Sequence, residues 1–361
     1  MTAPVLVRAL ERTVAIDAPD SLADARLRQQ WSRCLVEGGE PARGHVPYLG
    51  KSGENSTEYT VTSGVTLQLI EMRAGELLML HAAGIADPQT GAVTALIANS
   101  GTGKTTAAQR LCATDFGYIT DETVAVTASG AVLPFPKPLS VIVDGEEHKH
   151  QHGPDELGLL PAPPHPTLRR LVLLSRDNAH EGPPQLRQVD LLDGILEMLP
   201  QLSYLTRLPD PLALIVSHVR SCGGIHHLLY RDIQDCVRVL TELAEADPQV
   251  EADIEHFPGT GDAAAEGSAS ASASAQQTGR IRRGHYVDAI RIDDEVLLVN
   301  DERPIRCTGL GATVWLETQT PRLMQELLQA CIEQHGDHPD AAELVQRTVD
   351  ELTDAGVLTR S

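Results

Sequence analysis

The chain has 361 residues, 42% of them apolar but only 3% aromatic, and a formal net charge of −21. That length accommodates two domains of roughly 100–200 residues each, with cores built from Leu, Val, Ile and Ala. So acidic a surface repels phosphate backbones and anionic lipids, which excludes nucleic acid and membranes as expected partners and leaves basic peptides and metal-bound nucleotides.

Residues 1–20 carry no basic region followed by a long apolar run, so they do not read as a signal peptide. No apolar stretch reaches the roughly 18 residues a spanning helix needs. The six cysteines are scattered singly and read as reduced thiols. A soluble, cytoplasmic protein is the expectation.

Residues 1–50 carry the weakest pattern. Residues 59–72, YTVTSGVTLQLIEM, predict a pair of strands turning at Gly64. Short apolar runs at 77–81 and 93–98 predict strands, and the second leads into a glycine-rich loop followed by a helix over 105–113. Residues 118–119 and 123–126 predict strands on either side of an acidic pair. Residues 171–175 and 212–217 are further strand candidates, and 232–246 has the spacing of an amphipathic helix. Together these elements make an α/β domain over 1–256.

Residues 257–280, FPGTGDAAAEGSASASASAQQTGR, hold almost no large apolar side chain and read as a flexible linker. Beyond it, residues 281–361 predict three short strands (AIRI, EVLLVN, PIRC) and three helices near 309–317, 321–334 and 340–355. Gly356 is placed to end the last helix. The pattern is that of a small winged-helix-like α+β module.

The strongest local signal is Ala98-Asn99-Ser100-Gly101-Thr102-Gly103-Lys104-Thr105-Thr106. Small residues let consecutive backbone N–H groups turn inward around phosphate oxygens. A lysine reaches the outer phosphates, a hydroxyl serves Mg²⁺, and a helix N-terminus adds its dipole. Here Gly101 and Gly103 supply the turn, Lys104 the cation and Thr105 the hydroxyl. Ala98 stands where the strict pattern has glycine, a substitution that is inexpensive unless the position needs positive φ. Sixteen residues beyond Thr105, Asp121-Glu122 follows a short apolar run. One carboxylate at such a strand end can hold Mg²⁺ through water, and the other can take a proton from an attacking hydroxyl.

These features, with His81-Ala82-Ala83-Gly84 before the loop and Leu133-Pro134-Phe135-Pro136-Lys137-Pro138 after the acidic pair, resemble the HPr kinase group. The resemblance implies a PEP-carboxykinase-like α/β kinase fold using ATP and Mg²⁺. It implies His81 beside the phosphates, Asp121 as general base, Glu122 assisting Thr105 with Mg²⁺, and Lys137 approaching nucleotide or acceptor. The chain has His-Ala and Asp-Glu where those kinases usually have His-Gly and Asp-Asp, and it lacks their glycine-rich phosphorylase signature, so HPr is not the expected acceptor.

Residues 285–358 resemble the PqqD family of peptide-recognition modules. The matching features are Val296 to Asn300, Gly309-Leu310-Gly311-Ala312-Thr313-Val314-Trp315-Leu316 and the Gly356-Val357-Leu358 ending. Such modules take a leader peptide as an added strand, and a tether raises the acceptor's local concentration. The expected function is therefore phosphorylation of a Ser or Thr hydroxyl on a captured precursor peptide or protein. Two alternatives stand beside it: a nucleotide-dependent peptide chaperone, and a small-molecule kinase with a regulatory C-terminal wing. Self-association is compatible with all three.

Three other signals are set aside. His148, His150 and His152 would share a face if extended and could hold a metal, but a polar His-rich loop is the commoner explanation. His226-His227 reads as one buried and one exposed residue on a strand. Residues 217–221 lack the context of a serine nucleophile.

Overall fold

The computed structural model describes residues 3–38, 42–143, 148–247, 252–259, 279–301 and 303–361. They form a mixed α/β structure that divides into two compact units, Met1–Leu208 with Ser217–Val250 and Pro209–Val216 with Glu251–Ser361. Most of the segment read as a linker, 260–278, lies outside the described residues.

The first unit opens with β1 (Val5–Ala9), β2 (Arg12–Ile16), α1 (Ser21–Gln30), β3 (Gly44–Val46) and α2 (Asn55–Met72). Then come β4 (Leu78–Ala86), β5 (Ala92–Ile97), α3 (Lys104–Cys112), β6 (Gly117–Thr120), β7 (Thr123–Val126), β8 (Val132–Leu133), β9 (Leu139–Val141) and β10 (His150–His152). It continues through β11 (Thr167–Arg176), β12 (Gln185–Gln188), α4 (Leu191–Met198), β13 (Leu202–Ser203), β14 (Ile225–Tyr230) and α6 (Val237–Glu245), while helix α5 (Pro211–Ser221) gives its residues 211–216 to the second unit and the rest to the first.

Two predicted elements change type. The stretch read as a hairpin at Gly64 is the single helix α2. Its Thr- and Val-rich composition favours strands by propensity, but Val61, Val65 and Leu69 recur every fourth residue and are all buried. Gly64 lets the helix approach β3: a Cβ there would lie 3.1 Å from the Val46 side chain. The run read as a strand at 212–217 belongs to helix α5. Pro211 suits a first helical position, and the Asp288 carboxylate accepts from the N–H groups of Leu212 (2.7 Å) and Ala213 (3.2 Å). That cap comes from a distant residue, so no local pattern announces it.

Among the described residues the main sheet has nine strands, ordered β12-β14-β11-β5-β4-β7-β8, with β6 and β13 also on β4. Strands β5, β11 and β14 run parallel, the arrangement that places loops and helix N-termini at one sheet end. Strand β4 changes neighbours along its length. Residues 82–86 pair with β5, residues 78–81 with β7, and Leu80 and Met79 with β13. Apolar side chains of α3 and α6 meet those of β4, β5, β11 and β14 in one core, while α1 and α2 cover β1–β3 in another. Buried Arg170 on β11 donates to the carbonyls of Leu243 (2.5 Å) and Cys222 (3.3 Å), satisfying groups at the ends of α6 and α5. All six cysteines are free and buried.

The second unit contains β15 (Ile254–Pro258), β16 (Arg280–Arg283), β17 (Asp288–Ile292), β18 (Glu295–Val299), β19 (Pro304–Cys307), α7 (Leu310–Glu317), β20 (Arg322–Leu323), α8 (Met324–His335), α9 (Ala341–Asp354) and β21 (Leu358–Arg360). Two antiparallel sheets form, β15-β17-β18-β19 and β20-β16-β21. The three predicted strands are β17, β18 and β19. Phe257 and Pro258, placed in the linker by the sequence, instead end β15, which pairs with β17. Helix α8 starts later than predicted because Arg322 and Leu323 pair with β16 first. Gly356 adopts φ +73° after α9, and the Val357 N–H returns to Leu352 O at 2.9 Å, the helix ending expected there. Trp315 is the centre of this core, edge-on to Phe257 (5.1 Å) and Tyr286 (5.6 Å).

Candidate functional site

Strand β5 delivers the chain into the loop 98–103, and α3 leaves it. Gly101 and Gly103 take φ +87° and +107°, and a Cβ on either would meet nothing within 4 Å. Glycine is therefore required by the backbone conformation rather than by crowding. Ala98 is not among the positive-φ residues, which is why alanine is accommodated in place of the pattern's first glycine. Gly103 caps α3 with no side-chain hydrogen bond to its first N–H groups, leaving them available to an anion. Asn99 Oδ1 accepts from Gln201 Nε2 at 2.8 Å, which ties the loop to the segment before β13.

Lys104 is buried and folded back, donating to the carbonyls of Ala98 (2.6 Å) and Asn99 (3.3 Å). Burial lowers its pKa, against the pull of Asp121 and Glu122. Thr105 Oγ1 donates to Asp121 Oδ2 at 2.8 Å, joining the two motifs that the sequence separates by sixteen positions.

The acidic pair sits between β6 and β7, where β4 exchanges one neighbour for the other: Gly84 is opposite Thr120 and His81 opposite Thr123. Thr120 Oγ1 accepts from the N–H groups of Glu122 (3.2 Å) and Thr123 (3.3 Å), and Glu122 O accepts from Ala82 N at 3.1 Å. The turn that carries both carboxylates is thus fixed at its backbone.

Lys137 lies between the carboxylates, 2% exposed, with its ammonium 3.0 Å from Asp121 Oδ1 and 3.0 Å from Glu122 Oε2. It also donates to Pro138 O at 2.9 Å. Burial alone would lower its pKa; the two carboxylates together hold it above the ordinary lysine range. Tyr118 OH stands 3.1 Å from Asp121 Oδ1 and 3.2 Å from Lys137 O. Burial, followed by the Asp121 charge, pushes this phenol well above its usual value. His81 is half-buried and hydrogen-bonded to Gln201; burial and then Lys104 lower its pKa, while Glu122 and Asp121 oppose the shift.

His81, Lys104, Thr105, Asp121, Glu122 and Lys137 line a cleft of about 440 Å³, with Ser100, Gly101, Gly103 and Thr106 on the loop side and Tyr59, Ser63, Arg110, Ile142 and Lys149 around its walls. A smaller cleft of about 90 Å³ adjoins Thr102 and Thr106 and reaches Arg176, Tyr230 and Arg231. The structure thus brings together His81, Ser100, Gly101, Gly103, Lys104, Thr105, Thr106, Asp121, Glu122 and Lys137. Asn99 and Thr102 belong to the same loop but do not line the larger cleft. Tyr118, Gln201, Arg110 and the α2 residues carry no site signal in the sequence, since Tyr118 reads as an ordinary strand residue and the composition of α2 predicts a hairpin.

Other sequence signals fall elsewhere. His150 and His152 on β10 stack at 6.1 Å; the first contacts Asn55 Nδ2 (2.9 Å) and the second Glu156 Oε1 (2.9 Å). His226 and His227 are both partly buried on β14, rather than one in and one out. Residues 217–221 continue α5. No helix among the described residues is long and apolar enough to cross a membrane. Compared with models of known families and with curated proteins, the chain gives no match.

Proposed function

We propose that the first unit is an ATP- and Mg²⁺-dependent kinase that phosphorylates a Ser or Thr hydroxyl on a peptide or protein held by the second unit. One observation carries the reading: an uncapped helix N-terminus with its glycine loop opens onto the same cleft as Thr105, Asp121 and a second carboxylate. The N–H groups of the loop and Lys104 would take the phosphates, with Lys104 leaving its two carbonyl partners to do so. The nucleoside would lie along Thr106 in the smaller cleft. An oxygen-only set from Thr105, Asp121 and Glu122 fits a hard cation such as Mg²⁺, which when bound supplies neutralisation of phosphate charge. The remaining work is positioning and acceptance of the hydroxyl proton.

For the second unit the reading follows the PqqD resemblance. Among the described residues β15 and β19 are the two edges of the four-stranded sheet, and β19 pairs only with β18. A leader peptide would add there as a further strand.

The test is mass spectrometry of short precursor peptides after incubation with the full chain, ATP and Mg²⁺. A gain of one phosphate that disappears in Lys104→Ala supports the kinase. Binding of nucleotide and peptide without any phosphopeptide overturns it in favour of a nucleotide-dependent chaperone. Turnover unchanged on deletion of residues 281–361 would overturn the capture role of the second unit.

A further inference from the structure

His256 and Asp288 come from stretches with no metal-binding spacing, and the fold of the second unit puts them together. In the β15–β17 register Pro258 lies opposite Asp288, so His256, two residues along β15, shares its face of the sheet. His256 Nε2 is 2.7 Å from Asp288 Oδ1. Asp210, immediately before α5, adds a third group, with Oδ1 4.0 Å from the same ring nitrogen. Among the described residues these are the only three His, Cys, Asp or Glu side chains whose donor atoms gather within 4.8 Å of one another.

Exposure is graded across the trio: the side chains of Asp288, His256 and Asp210 are 0%, 31% and 56% exposed. Asp288 is fixed from behind. Its Oδ2 accepts from the N–H groups of Leu212 and Ala213, and its Oδ1 from that of Ala289 at 3.0 Å. Outer partners of this kind orient a ligating carboxylate. Burial pushes the Asp288 carboxyl above its usual range, against the pull of His256 and of the Ala213 and Leu212 N–H groups. Two ionised carboxylates facing one imidazole leave a net negative charge in either state of the ring, and a divalent cation cancels it.

We propose that Asp210, His256 and Asp288 form a binding site for a divalent first-row transition metal of the Zn²⁺ class, with water completing the coordination. An imidazole nitrogen in the donor set favours Zn²⁺ and its neighbours over Mg²⁺, which takes oxygen ligands. Tetrahedral bonds of about 2.1 Å set donor atoms about 3.4 Å apart. The separations of 2.7 and 4.0 Å bracket that spacing, and the more exposed Asp210 has room to close. The metal takes the position between His256 Nε2 and Asp288 Oδ1, with the ring bound as the neutral imidazole. Bound there, it fastens β15 to β17 and to the first turn of α5 within the second unit. The site uses none of the cleft residues, so it stands or falls apart from the kinase reading.

The experiment strips the full chain of metal with a chelator, titrates it with Zn²⁺ by calorimetry, and melts it with and without Zn²⁺. The parent should take up Zn²⁺ in a step that Asp210→Asn and His256→Gln each weaken by about tenfold or more, at least the effect of losing a supporting partner. Zn²⁺ should raise the melting temperature of the parent and much less that of either variant. Both substitutions fall on partly exposed side chains, and the amide of His256→Gln can still donate to Asp288, so both proteins should fold. His150→Gln and Asp121→Asn should leave the step unchanged, which separates it from the histidines of β10 and the carboxylates of the cleft. A parent chain without a Zn²⁺ step overturns the site. So does a step that persists at full affinity in Asp210→Asn and His256→Gln, or one that follows His150→Gln or Asp121→Asn instead. Displacement of the Zn²⁺ by Mg²⁺ at comparable concentration overturns the transition-metal assignment.

Discussion

Each unit takes a cation out of solvent, Lys137 almost wholly and Arg283 in part, and the two are kept in opposite ways. In the first, Lys137 is neutralised by two carboxylates. In the second, the Arg283 guanidinium lies 3.4 Å from the Trp315 ring centroid and 4.9 Å from that of Phe257, donating Nε–H to Trp315 O at 3.0 Å. One of its terminal nitrogens has no hydrogen-bond partner, and burial lowers its pKa. Aromatic faces and a carbonyl can hold a guanidinium, because it is planar and weakly hydrated, where they could not hold an ammonium. The difference teaches where chemistry can reside. Carboxylates gathered around Lys137 can exchange partners with a ligand, whereas the stacked Arg283 has only packing to offer.

The comparison can be broken most directly at Lys137. Lys137→Met leaves two carboxylates without their counter-ion and should cost about 3 kcal/mol in denaturant unfolding. Adding Asp121→Asn should return part of that loss, since the orphaned charge is removed with it. If the double variant is no more stable than the single, the pair does not function as a counter-ion set. Arg283→Met, which keeps the aliphatic stem, should cost about 2 kcal/mol or less, and no carboxylate substitution should rescue it.

A smaller effect sharpens the contrast at the loop. Gly103→Ala should cost about 1–2 kcal/mol from φ strain alone, with nucleotide affinity falling alongside because the N–H groups no longer converge. Equal stability and affinity in the variant would show that the left-handed conformation is not needed.

The smallest effect concerns pH. Burial lowers the pKa of His218, and burial with Arg170 lowers that of His226. The folded chain keeps both neutral, while the unfolded chain takes up protons near pH 6.5. Their contribution is therefore complete above about pH 6.5 and is lost as the pH falls through the lowered folded values. The melting temperature, followed by Trp31 fluorescence in a Trp315→Phe background, should drop on acidification across that window. His218→Gln should flatten the drop.

Much of the fold was legible from residues alone. The strands β4, β5, β6, β7 and β11, the loop, α3 and all three helices of the second unit follow from local spacing and glycine placement. The elements that changed type were α2 and α5, where composition pointed one way and a long-range partner decided the other: Val46 against Gly64, and Asp288 at the N-terminus of α5. In the site, the loop residues and the acidic pair were visible because each is a short run with its own chemistry. Tyr118 and Gln201 were not, because neither residue type is unusual where it stands.

The sequence by itself determined that a glycine-rich turn leads from a strand into a helix at Lys104, since positive-φ glycines and a helix start act through neighbouring backbone whose geometry is local. Only the tertiary structure decided which of the two carboxylates in the cleft is buried and which is partly exposed. Asp121 is buried with Tyr118 of β6 and with Lys137 of the segment between β8 and β9 on its carboxylate, and burial is a property of what surrounds a residue rather than of the residue itself.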